Sequence, residues 1–406
     1  MEFLSFFLVF LVAVLFSEVL RKLHLPWVAT LIIGGMVLGS PLLDWEPTET
    51  IEFLGQIGLI FLMFMAGLET KMSGFLRLWR SVGIFSLLNA GMPFATGLII
   101  GAAFGLDLAG AILLGIIFIS SAVAVVIPVL ENNKLLGTEA GRLVTSAAVL
   151  QDILALVLLA VFMQTAAPTT EGLPLKWFLI LTPFSIILLR LIVPKIEKTL
   201  SLNIEEKGFE RNVRSLLVIL LGTVVIFELL GLHPIVGGFF AGLILSDSLF
   251  NQRLRDKVHT MSYGLFIPVF FIVIGATTDL TIFREMEHLW WLMLAIVGGS
   301  MTAKFFSGYL GARILNFTRP EGSIMGSATM PQLSITLAIA YAGAEKGLFG
   351  ELSEGITTSL VALTIVTSIL VPIIVRYLAG KNKQAPYSDP QQTTTPPTET
   401  GNKVIK

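Results

Sequence analysis

Apolar residues run through this chain in long stretches separated by short polar breaks. A helix crossing a bilayer needs about 20 mostly apolar residues, because hydrocarbon offers the backbone no hydrogen-bond partner outside the helix itself. On that measure thirteen segments are predicted: 2–20, 26–42, 51–69, 80–104, 108–130, 140–164, 174–193, 212–230, 233–247, 261–276, 288–312, 322–344 and 354–379. Two of them are interrupted. The fifth, LDLAGAILLGIIFISSAVAVVIPVL, has Ser120 and Ser121 near its middle and Pro128 downstream. Proline lacks an N–H and clashes with the preceding turn, so Pro128 favours a break in that helix, with the serine pair beside it. The twelfth, GSIMGSATMPQLSITLAIAYAG, places Gly326 and Pro331 ahead of Gln332, Ser334 and Thr336. Interrupted helices at corresponding positions of two halves point to an inverted-repeat transporter with its site near the membrane midplane. The predicted class is an all-α polytopic membrane protein.

Loop charge orients the helices. If the segments alternate, 22 of the 27 Lys and Arg residues fall in one set of loops and only Lys176, Arg284 and Lys346 in the other. The positive-inside rule then puts the N-terminus outside and the C-terminus in the cytoplasm; the expected location is a bacterial-type inner or plasma membrane. The start, MEFLSFFLVFLVAVLF, lacks the basic region and cleavage site of a signal peptide and reads as the first membrane helix. The end, KNKQAPYSDPQQTTTPPTETGNKVIK, is polar and Pro/Thr-rich, and a disordered cytoplasmic tail is expected over 380–406.

Composition narrows the chemistry. With 54% hydrophobic and 14% charged residues, against about 25% charged in soluble domains, the chain is a membrane protein. A net charge of −1 argues against a nucleic-acid partner, and the lack of cysteine excludes disulfides and thiol chemistry. The four histidines form no local metal motif, and no cofactor is expected beyond transported ions. A hydrolase is disfavoured because no G-x-S-x-G elbow, Ser-His pair or paired-Asp motif appears.

One carboxylate stands out. SAAVLQDILALVLLA carries Asp152 beside Gln151 in an apolar run, where an unpartnered Asp is unfavourable by about 2.5–3.5 kcal/mol on insertion scales. Lys304 lies within the eleventh segment at a similar depth. Such residues mark ion or proton paths, though Asp152 read alone also suits an interhelical hydrogen bond and the two serines suit back-bonding to their own helix. Lys304 reads either as a counter-charge or as part of the transport chemistry. Pro331 and Gln332 mark the second helix break. Glu228 and Arg190, near segment ends, are expected to snorkel, with Glu228 as a charge-compensating residue.

GLIFLMFMAGLET, SSAVAVVIPVLENNKLLGTEAGRLVTSAAVLQDILALVLLA, GLHPIVGGFFAGLIL and FIPVFFIVIGATTDL, with the Lys304 and Pro331 regions, together resemble the monovalent cation:proton antiporter-2 family over roughly residues 1–380. The pair Gln151-Asp152 stands where electrogenic sodium/proton antiporters have two acids, and is similar to the Kef-type potassium/proton antiporters. The resemblance implies a homodimer with a moving core and two broken helices that cross. It implies dimerisation helices in 1–79 and 212–287, and core helices in 80–164 and 288–379, with 108–130 and 322–344 broken. It assigns 165–211 to a linker helix and cytoplasmic loop. By the same resemblance Asp152 is the ion- and proton-binding carboxylate, with Gln151, Ser120 and Ser121 around it and Lys304 the basic residue on the eleventh segment. No Kef-type nucleotide-binding domain follows, so a regulatory subunit, if used, is expected as a separate cytoplasmic partner.

The expected function is exchange of K⁺, or alternatively Na⁺, for H⁺, with Asp152 holding one ion at a time. One carboxylate makes one-for-one, electroneutral exchange the natural stoichiometry. An electrogenic Na⁺/H⁺ antiporter and a Na⁺-coupled solute symporter are the alternatives.

Overall fold

A computed structural model describes residues 2–21, 27–40, 43, 45–69, 79–166, 209–230, 232–246, 252–278 and 287–382, with scattered positions between 184 and 195. Among the described residues all regular structure is helical. The helices are α1 (Glu2–Arg21), α2 (Trp27–Leu38), α3 (Glu49–Glu69), α4 (Trp79–Ala103), α5 (Leu108–Ile119), α6 (Val123–Asn132), α7 (Glu139–Ala166), α8 (Phe209–Leu229) and α9 (Pro234–Ser246). They continue as α10 (Gln252–Met261), a π-helical turn (Ser262–Phe266), α11 (Ile267–Ala276), α12 (Glu287–Ile314), α13 (Arg319–Ala328), α14 (Ser334–Glu345) and α15 (Ser353–Asn382). Twelve of the thirteen predicted segments coincide with these helices. The greater part of the seventh and of the 165–211 linker, and the tail from 383, lie outside the described residues, as do Arg190, Lys176 and Arg284.

Eight described helices or helix pairs are long and apolar enough to cross a membrane, and α2 and α9 are shorter apolar helices. The tenth predicted segment extends further than its hydropathy. QRLRDKVHTM is too polar to register as a span, yet it continues as helix into the π turn and α11. The fifth and twelfth segments are each split, into α5/α6 and α13/α14.

The first break corrects one expectation. It falls at Ser120–Ala122, whereas Pro128 lies inside α6. The chain leaves the helix where tertiary partners take over its backbone groups: the Ala122 N–H donates to the Pro331 carbonyl at 2.7 Å, in the gap between α13 and α14. Pro128 sits in the second turn of the short helix α6, which continues past it to Asn132 despite the lost N–H and the crowding of the preceding turn. The second break, between Ala328 and Ser334, does contain Pro331 and Gln332.

The helices pack in two groups. In one, α3 lies against α9 and α11, α2 against α1 and α11, and α8 against α9. In the other, α4 lies against α5 and α12, and α12 against α13 and α15. Glycine permits the closest crossings. A Cβ on Gly97 of α4 would stand 2.8 Å from the Gly115 Cα of α5, and one on Gly308 of α12 would stand 2.8 Å from the Gly326 Cα of α13. At each of these crossings a long helix meets the first half of a broken helix backbone to backbone. Asp107 caps α5 by accepting the Gly110 N–H, and a Thr318–Glu321 capping box starts α13.

Candidate functional site: a carboxylate at crossed helix breaks

Asp152 projects from α7 toward the first break and is only 8% exposed. Its Oδ1 accepts the Ser120 hydroxyl at 2.8 Å and the Ser121 backbone N–H at 3.3 Å. Among the described residues its Oδ2 accepts no hydrogen bond. The break supplies both donors: Ser120, at the C-cap of α5, is extended, so the Ser121 amide is free of the helix ladder and lies just before α6. An anion is favoured there, where the helix dipole is positive.

The opposite half-helix end meets a cation. Lys304, fully buried on α12, donates from Nζ to the Ile119 carbonyl at the C-terminus of α5. It also donates to Gln151 Oε1 and Ser121 Oγ, each at 2.9 Å, and to the Asn89 carbonyl at 3.3 Å. All four acceptors are neutral. The broken helix thus turns a negative end toward Lys304 and a positive end toward Asp152, the polarity that favours a cation at the first and an anion at the second.

Gln151 faces Lys304 rather than the carboxylate. Its oxygen is taken by Lys304 and lies 2.9 Å from Ser121 Oγ, and its Nε2 donates to Asn89 Oδ1 at 3.1 Å. In this conformation Gln151 therefore has no oxygen to offer an ion at Asp152. Ser121 Oγ also lies 2.9 Å from the Thr329 carbonyl, tying the first break to the second. Gln332 strengthens the crossing, its Nε2 donating to the Phe118 carbonyl at 3.2 Å and to Ser300 Oγ at 3.0 Å. Its backbone N–H reaches Thr367 Oγ1 at 3.3 Å.

The structure brings together Asp152, Gln151, Ser120, Ser121, Lys304, Pro331 and Gln332. Two expected residues stand apart. Pro128 lies within α6 downstream of the break. Glu228, exposed near the end of α8, lines a separate cavity of about 300 Å³ with Gln56, His233, Tyr341 and Glu345. Sequence reasoning missed Asn89, Ser300, Ser307, Thr329 and Thr367. Asn89 alone left a signal, a carboxamide inside the apolar run FSLLNAGMPF. The hydroxyl residues look like ordinary helix positions until the helices cross. Among the described residues no group of three or more His, Asp or Glu side chains forms a metal site.

Two broken helices crossing at a buried carboxylate are the architecture of a secondary transporter. Residues 6–379 match the transmembrane sodium/hydrogen exchanger family, and the chain belongs to that family. It is 31% identical to a probable Na⁺/H⁺ antiporter 3 of Methanocaldococcus jannaschii, over 94% of this chain and 98% of that protein. It is 29% identical to a Na⁺/H⁺ antiporter of Enterococcus hirae, over 94% and 99% of the two chains. It is 30% identical to the Na⁺/H⁺-K⁺ antiporter GerN of Bacillus cereus, over 95% and 99%. The fold is similar to that of the sodium proton antiporter MjNhaP1 from Methanocaldococcus jannaschii, solved at pH 8. The TM-score is 0.71 at 17% identity, covering 94% of this chain and 99% of that one.

Proposed function

We propose that the protein exchanges a monovalent cation for H⁺ across the membrane, with Asp152 as the carboxylate that both ions use in turn. One observation carries this reading: Oδ1 is tied at a helix break while Oδ2 is left open. An acid group so placed takes either a proton or a partly dehydrated cation, and single occupancy couples the two fluxes. Ser120 and freed backbone carbonyls supply the oxygen ligands that hard cations favour. One charge replaces another of the same sign, so exchange is electroneutral.

Na⁺ is the cation the relatives' names favour. K⁺ is the second reading, favoured by the Kef-like Gln151-Asp152 pair and by the name of the Bacillus cereus relative. The core, residues 80–164 and 288–379, carries the site by an elevator movement past a scaffold of 1–79 and 212–287; the packing of the helices in two groups supports this division. Lys304 compensates the C-terminal end of α5 throughout the cycle. The loop-charge bias supports an external N-terminus and a cytoplasmic C-terminus, and the membrane proposed is a bacterial-type inner or plasma membrane. The exposed apolar face of α1, with Phe3, Phe7 and Val14, suits lipid or a second copy in a homodimer. A separate cytoplasmic regulatory subunit belongs with the Kef-like reading.

The test is cation-driven proton movement in proteoliposomes, followed by a pH-sensitive dye with Na⁺, K⁺, Rb⁺ and Li⁺ in turn. Asp152→Asn is expected to abolish the signal in a protein that still purifies as folded. Within the range where the carboxyl titrates, a tenfold rise in proton concentration is expected to raise the apparent KM for the cation up to about tenfold and leave the saturating rate unchanged. Exchange at the wild-type rate in Asp152→Asn sinks the proposal.

A further inference from the structure

Asn89, on α4, is fully buried and touches three other elements of the site. Its Nδ2 lies 2.9 Å from the Lys304 carbonyl, 2.8 Å from Ser307 Oγ and 3.3 Å from Thr329 Oγ1. Its Oδ1 accepts the Gln151 amide at 3.1 Å. The orientation of both carboxamides follows from one group that cannot change. The Lys304 carbonyl only accepts, so the Asn89 atom facing it must be the amide nitrogen. Oδ1 therefore faces Gln151, which must answer with its own nitrogen. The Gln151 oxygen is left pointing at the Lys304 ammonium and the Ser121 hydroxyl. The seat is shaped for this contact: a Cβ on Gly308 would come within 3.2 Å of Asn89 Nδ2.

We propose that Asn89 is a positioning residue for exchange: through Gln151 it holds the Lys304 ammonium at the C-terminus of α5 and away from Asp152. The inference rests on the exchange reading above and names what keeps its site open. Ser121 is the shared neighbour, with its hydroxyl 2.9 Å from Lys304 Nζ and its amide 3.3 Å from Asp152 Oδ1. An ammonium released from Gln151 keeps the Ile119 and Asn89 carbonyls and is drawn past Ser121 toward the carboxylate. There it competes with the transported cation as a tethered internal ligand. A buried asparagine that only tied helices together would act on stability, whereas this one acts on cation affinity.

The experiment measures the apparent KM for Na⁺ and the saturating rate in proteoliposomes, with thermal stability in detergent alongside. Asn89→Leu is expected to raise KM by about tenfold and to change the saturating rate less than threefold. Because Asn89 acts through Gln151, adding Asn89→Leu to Gln151→Leu is expected to move KM no further, whereas a merely structural role lowers thermal stability and leaves KM where it was. Asn89→Thr, which retains a hydroxyl in a smaller side chain, is read in the same way should Asn89→Leu not fold, with an expected KM increase of at least about threefold. An unchanged KM in the folded single variant, or fully additive shifts in the double variant, overturns the proposal. Asp152→Asn, run in parallel, separates the two readings. Exchange surviving there overturns the carboxylate reading, whereas an unshifted KM at Asn89 in a protein that exchanges overturns this one alone.

Discussion

The two adjacent serines at the first break do different work. Ser120 donates its hydroxyl to Asp152 Oδ1, while the Ser121 hydroxyl sits among Gln151, Lys304 and the Thr329 carbonyl. A donated hydrogen bond favours the ionised carboxylate and is worth about 1.5–3 kcal/mol when its acceptor is charged. Ser120→Ala therefore gives the proton an advantage over the cation, and the apparent KM for Na⁺ is expected to rise roughly tenfold or more, most steeply at acid pH. Ser121→Ala leaves its backbone amide on Asp152 and is expected to change stability more than KM. Measuring both variants across pH checks this; equal KM shifts would show that the hydroxyls are interchangeable. The pair was visible in the sequence as polar residues at midplane depth beside Asp152. The division of labour was not, because it depends on which way the chain turns as it leaves α5. Gln151 shows the same limit. Its neighbour in the chain is Asp152, but adjacent helical positions point in different directions, and its partners come from α4 and α12.

Helices of long apolar composition are legible because their length and hydropathy are local properties. The breaks are legible only as a tendency. Pro128 and Pro331 are equally conspicuous prolines, yet one lies inside α6 and the other in a gap. The difference lies in tertiary hydrogen bonds: Ala122 N–H finds the Pro331 carbonyl, so the two interruptions stabilise each other and locate the first break upstream of its proline. The close helix crossings carry a prediction at this scale. A Cβ on Gly326 would come 2.5 Å from the Phe305 carbonyl oxygen, a backbone atom that can yield only if α12 and α13 move apart. Gly326→Ala is expected to destabilise the protein by about 1–3 kcal/mol, through overpacking. Gly83, on α4, has open space around its Cβ position, so Gly83→Ala is expected to be neutral or to stabilise by up to about 1 kcal/mol through helix propensity. Thermal unfolding in detergent compares the two; a loss of stability at Gly83 matching that at Gly326 would remove the packing explanation.

The proposed elevator movement is testable at the contacts between the two helix groups. Gln56 of α3 donates to the Tyr341 hydroxyl of α14 at 3.4 Å, and His233, just before α9, lies 3.5 Å from Glu345 at the end of α14. Both contacts border the cavity of about 300 Å³ that also contains Glu228. Both are long and partly exposed, so neither holds the groups together strongly. The wild-type chain has no cysteine, which makes the interface directly addressable. In Gln56→Cys/Tyr341→Cys, a bifunctional maleimide spanning the two replaced side chains joins α3 to α14. If the core moves against the scaffold, the cross-linked protein is expected to lose exchange, while each single cysteine variant treated with the same reagent retains it. Cation binding to one face is expected to survive the cross-link, because Asp152 is held by Ser120 and Ser121 and by neither linked residue. Full exchange by the cross-linked double variant would mean that the carboxylate is exposed to its two sides by local rearrangement at the helix breaks, with the two helix groups fixed.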